Sequence, residues 1–207
     1  MQITNNTLVG ILAFAIFISL FGTLIGFEKM DSMEHTTGFA TLNTTGLAQL
    51  TVNTTADVRF VVNSVNWGSG SVNVSLLWCM MNTTGAKSPG CQSFTTVSQG
   101  LTLVNDGNNN VSVQLYSNVS AVTFLGGTNP NFEYNVSNNI TGSCQGSGVT
   151  PTVFTDVNTT LPGTQICPLL DFNPTKNSLL IGVLVNFSYD APQGAKSALF
   201  NAVGTAL

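Results

Sequence analysis

Leu8 to Phe27, LVGILAFAIFISLFGTLIGF, is an uncharged apolar run, whereas the chain beyond His35 is polar and rich in Asn-x-Ser/Thr. At about 1.5 Å per residue the run reaches about 30 Å as a helix, enough to cross a bilayer core or to form the apolar stem of a filament subunit. Met1 to Thr7 carries no Lys or Arg and no A-x-A pattern follows the run, so a cleavable secretory signal is disfavoured. Small residues recur along it at Gly10, Ala13, Ala15, Ser19, Gly22 and Gly26. Gly22 and Gly26 have the spacing that lets two helix backbones approach closely, which makes this set the expected assembly face. Glu28 to His35 extends the helix and Thr36-Thr37-Gly38 stops it. The reading is a stem helix over 1–36 followed by a β-domain over 37–207. The net negative charge after the run favours an N-terminus inside and the domain outside.

Only 7% of residues are charged, against roughly a quarter in an ordinary soluble domain. Disorder does not explain this, because the chain is 43% hydrophobic and disordered chains are poor in apolar residues. Solubility must come from Asn, Ser, Thr and attached sugar. The formal net charge of -4 and the lack of a basic patch argue against nucleic acid as a partner. A domain with few ion pairs also loses little when carboxylates protonate, which suggests tolerance of acid.

Sequons occur at Asn5 and, in the expected β-domain, at Asn43, Asn53, Asn73, Asn82, Asn110, Asn118, Asn135, Asn139, Asn158 and Asn186. Several fall opposite the apolar set of a strand-like stretch, on the face where a glycan must sit. N-linked glycans are therefore expected and no other cofactor. Cys79, Cys91, Cys144 and Cys167 form an even set that allows three pairings. The local pairing, which closes two short loops, is preferred. No C-x-x-C is present and one histidine cannot complete a zinc site of the usual spacing.

Beyond the stem the pattern has period two. Strands are expected at 47–53, 57–65, 71–80, 92–98, 101–104, 110–117, 120–125, 131–137, 164–170, 178–189 and 196–204, separated by turn residues. Many short strands imply a single Ig-like antiparallel β-sandwich, so the fold class is mainly β behind a long N-terminal hydrophobic α-helix. Strand 178–189, apolar on both faces, is expected to be central. Val74, Leu76 and Trp78 are expected in the core with Phe60, Val62, Val113, Leu115, Phe124, Phe132 and Tyr134.

Catalytic chemistry is scarce. His35 is the only imidazole and sits beside the stem, outside any Ser-His-Asp arrangement in the β-domain. Asp156, Asp171 and Asp190 are the carboxylates that paired acid-base work would draw on, with turn formation the stronger reading. Asn105-Asp106-Gly107-Asn108 lacks the alternating ligands of a calcium loop and reads as a hairpin turn. No enzyme, small-molecule substrate or metal is expected.

The motifs Asn66-Trp67-Gly68-Ser69-Gly70, Asn105-Asp106-Gly107-Asn108, Gly126-Gly127-Thr128-Asn129-Pro130, Ser143-Cys144, Ile166-Cys167-Pro168 and Ala191-Pro192-Gln193-Gly194-Ala195-Lys196 resemble those of small exported surface proteins of small-genome archaea. In architecture the chain resembles archaellins and archaeal type IV pilins. That resemblance implies a structural subunit of an extracellular filament, polymerising with itself through the stem with the glycosylated domain outside. The alternative is a singly membrane-anchored adhesin or S-layer component. A third reading links subunits by strand exchange through 37–46 or 196–207.

Overall fold

The structure, a computed structural model, describes residues 55–207. The chain separates into two units, Met1–Thr51 and Val52–Leu207, and the second is described below. The expected stem over 1–36, its small residues from Gly10 to Gly26, His35 and the sequons Asn5, Asn43 and Asn53 lie outside the described residues.

In chain order the strands are β1 (Val58–Val62), β2 (Ser71–Val72), β3 (Trp78–Asn82), β4 (Cys91–Gln92), β5 (Leu101–Asn105) and β6 (Val111–Ser117). A short helix, α1 (Ala121–Phe124), precedes β7 (Asn131–Asn138), β8 (Cys144–Gln145), β9 (Thr155–Asp156), β10 (Thr164–Leu170), β11 (Ser178–Ser188) and β12 (Phe200–Ala206). The domain is mainly β, but the expected single Ig-like sandwich is corrected to three sheets. A six-stranded sheet runs β1-β5-β11-β7-β9 with β3 beside β11, a four-stranded sheet runs β12-β6-β10-β8, and β2 pairs with β4.

Period two explains the two large sheets. Val111, Val113 and Leu115 of β6 and Phe132, Tyr134 and Val136 of β7 are buried at alternate positions, with polar or half-buried residues between. They join Leu103, Ile166, Leu170, Leu179, Ile181, Val183 and Val185 in one core cluster drawn from both large sheets. Strand β11 is central, with β7 along one side from Leu179 to Asn186. Its other side is divided: β5 pairs with Ser178 to Ile181, and β3 with Leu184 to Ser188.

Three expected strands differ, of which 92–98 is reduced to β4 at Cys91–Gln92. The stretch 71–80 breaks after Val72, because Asn73 starts a turn: its side-chain oxygen accepts from Ser75 N–H at 2.9 Å and its carbonyl from Leu76 and Leu77 N–H at 3.0 Å. Sheet pairing therefore passes from β2 to β4, and Val74 and Leu76, expected in the core, lie outside it. The stretch 120–125 forms α1, since the Ser120 hydroxyl accepts from Thr123 N–H and caps the turn.

Among the described residues no helix is long and apolar enough to cross a membrane, and α1 is the only helix. Both the filament subunit and the singly anchored surface protein needed a long apolar helix; the described residues supply none, and those readings are withdrawn with the membrane-inserted location. Of the two segments considered for donation to a neighbour, 37–46 lies outside the described residues, and 196–207 contains β12, which runs antiparallel to β6 from Phe200 opposite Ser117 to Ala206 opposite Val111.

Candidate interaction surface

The least ordinary backbone in the domain follows β2. Leu77 N–H donates to the Asn73 carbonyl, Trp78 N–H donates to the Leu76 carbonyl at 2.8 Å, and Leu77 between them has φ +65°. That is a γ-turn with positive φ at its centre, a conformation rare for any residue and strained for a branched one. Burial does not repay it, because Leu76 and Leu77 are 50% and 48% exposed. Val74, Met80 and Tyr189 are also exposed. Tyr189 N–H donates to the Leu77 carbonyl at 3.0 Å, which ties the turn to the residue after β11.

The base of this tip is fixed. Cys79 is bonded to Cys91, so β3 is clamped to β4 immediately beyond the turn. Asn73 N–H donates to the Gly90 carbonyl at 2.8 Å, and Ser88 and Met80 exchange two further bonds. A side chain at Gly90 would collide with the Trp78 carbonyl, so the two segments touch backbone to backbone. The result is an apolar projection on a rigid mount. Reading 71–80 as one strand missed it; the signal was the pair Leu76-Leu77, which cannot both face one side of a strand.

The second disulfide joins Cys144 to Cys167, so the pairing is sequential, and no cysteine among the described residues is free. Both bridges are buried in the core cluster, where they act structurally.

The carboxylates have different neighbours. Asp171 accepts from the Gln145 amide and from Asn173 N–H, while Asp156 sits exposed on β9 opposite Glu133. Asp190 accepts from the Ser188 hydroxyl and from the N–H and hydroxyl of Thr128. Those bonds, the Ser188 hydroxyl foremost, hold its carboxyl down to about 2. They also unite two motifs distant in sequence, since Gly126 and Gly127, both with positive φ, abut Pro192 and the Ser188-Asp190 pair. Asp106 of the hairpin turn is ion-paired to Arg59 at 2.6 Å, an exposed pair of little energetic weight. No group of three or more His, Cys, Asp or Glu suited to a metal occurs among the described residues.

The sequons divide by environment. Asn118 is exposed, with its oxygen accepting from Leu199 N–H. Asn73, Asn110 and Asn135 are half-buried. Asn139 and Asn158 donate their amide nitrogens to Ser178 and Thr164 hydroxyls. Asn82 is buried, its oxygen accepting three bonds from Thr84 and Ala86. Asn186 lies in β11 between β3 and β7 with a buried, unpartnered side-chain oxygen.

No protein-family model, no curated protein and no solved structure matches this chain. The resemblance to archaellins and archaeal pilins is accordingly withdrawn, as those proteins are defined by the long apolar helix that the described residues lack.

Proposed function

We propose that residues 55–207 form a non-catalytic recognition module of an oxidising compartment, which binds a protein partner through the apolar tip of Val74, Leu76, Leu77 and Tyr189. One observation carries the reading: two half-exposed leucines are held in a strained turn on a disulfide-clamped base. Backbone strain outside a core persists when the surrounding structure over-determines it, and such strain concentrates at ligand-contacting sites. A rigid apolar anchor loses little conformational freedom on binding, which is where hot-spot residues draw their affinity. The two bridges and the absence of a free thiol among the described residues support the oxidising setting. N-linked sugar on the exposed sequons accounts for solubility at so low a charge, and the module needs no other bound group.

A photoreactive leucine at position 76, introduced in the native cell, tests this reading. The expected product is a discrete protein adduct that is missing when the same group is placed at the exposed Thr175. Equal adduct patterns at the two positions would overturn it.

A further inference from the structure

Strand β12 ends the four-stranded sheet and has a neighbour among the described residues on one side only. Asn118 N–H donates to the Leu199 carbonyl and Leu207 N–H to the Asn110 carbonyl. Since an antiparallel ladder alternates, residues 201, 203 and 205 also bond toward β6. The backbone groups of Phe200, Ala202, Gly204 and Ala206 then point to the other side, where no strand among the described residues pairs with them. Proteins guard such edges with Lys, Pro, bulges or a short length. Strand β12 has none of these guards: it has no charge, no proline and an unbroken seven-residue register. It also contains no sequon.

The side chains say what fits there. Residues opposite one another in a ladder share a face, so Phe200, Ala202, Gly204 and Ala206 face inward with buried Ser117, Leu115, Val113 and Val111. Leu199, Asn201, Val203, Thr205 and Leu207 form the outer row. Leu199 and Leu207 are 63% and 60% exposed, which leaves both side chains accessible to a second strand. About a two-fold axis through Val203 this row reads the same in both directions by class: apolar, polar, apolar, polar, apolar. Two antiparallel copies of β12 would set Leu199 against Leu207, Asn201 against Thr205, and Val203 against itself. On the inner row the large Phe200 meets the small Ala206 and Ala202 meets Gly204, so no bulky pair coincides. No like charges oppose.

We infer that β12 pairs edge to edge with β12 of a second copy of this chain, giving an isologous two-fold dimer in which the two four-stranded sheets become one continuous sheet. The palindromic row selects a second copy over an unrelated strand, because an arbitrary strand has no reason to match both exposed leucines at once. Neither the apolar tip nor its partner enters into this contact, so each proposal stands without the other.

The symmetry makes the test specific. Across the new ladder residue 203 is a non-hydrogen-bonded pair with itself, where Cα atoms lie about 4.5 Å apart, within disulfide reach. In the full chain, Val203→Cys should yield a disulfide-linked dimer under mild oxidation at least ten-fold faster than Lys196→Cys, an exposed position outside the strand. Ala202→Pro removes one outward N–H and no bond to β6, so adding it should cut the cross-linking rate at least ten-fold with an unchanged melting curve. Should that variant unfold, Leu207→Asp replaces it, since Leu207 is exposed in the single copy and faces Leu199 only in the dimer. Equal rates for Val203→Cys and Lys196→Cys, cross-linking indifferent to Leu207→Asp, or a covalent partner other than this chain would each overturn the inference.

Discussion

Val183 N–H donates to the Thr83 hydroxyl at 2.9 Å while Thr83 N–H donates to the Val183 carbonyl at 3.0 Å. The pair closes the gap on β11 between its partners β5 and β3, where neither strand reaches. Thr83 thus serves as a one-residue strand, its side chain standing in for a backbone acceptor. Gly182 beside it leaves the space that Asn135 and Thr83 occupy, since a side chain there would collide with the Asn135 oxygen.

Removing that hydroxyl leaves a buried N–H without a partner. Thr83→Val should cost about 1–3 kcal/mol in urea unfolding, the penalty for an unsatisfied buried donor, whereas Thr83→Ser should cost less because its oxygen remains. Equal losses for the two variants would show that Thr83 contributes by its methyl group.

Leu77→Gly should separate stability from binding. Relief of the positive φ should raise stability by about 1 kcal/mol, within the range of strain at such positions. The same change removes an anchor from the tip and should reduce adduct formation from position 76. A destabilised Leu77→Gly would mean that the turn is not strained.

Asp190 sets an acid limit for the loop lock. Its carboxyl is held down to about 2 from 3.8. A depressed carboxylate stabilises the fold above its unfolded value, and that contribution fades as the pH falls through the folded one. Asp190 should therefore titrate near 2 in a carboxyl-resolved NMR experiment, and Asp190→Asn should lower the melting temperature at pH 7 but not at pH 1.5. A titration midpoint near 4 would remove the lock between the 126–128 and 188–190 loops.

Glycopeptide mass spectrometry of the native protein should find sugar at Asn118 and none at Asn82 or Asn186. The Asn186 side-chain oxygen is buried without a partner on the face of β11, which leaves its amide little room for a glycan. Sugar at Asn186 would show that its side chain reaches solvent.

The alternating rows of β6, β7 and β11 were legible in the chain, because burial on one face imposes period two whatever the neighbours are. The turns at Asn105-Asp106-Gly107 and Gly126-Gly127 were legible too, since their residues tolerate few other conformations. What those turns hold was not: Asp190 reads as an ordinary loop acid until Thr128, 62 residues away, is placed beside it. The stretch 71–80 satisfied strand patterning through Val74 and Leu76, yet a local Asn73 side-chain bond outcompeted the ladder and turned both outward. Sequons were equally visible at Asn118 and Asn186, and their environments differ because one follows the end of β6 and the other lies within β11 between two paired strands. Local patterning by itself determined that residues 55–207 are mainly β and where most strands lie. Tertiary structure alone decided which strands share a sheet, which leucines stay exposed and which edge lacks a partner among the described residues, because those depend on pairings between residues far apart in sequence.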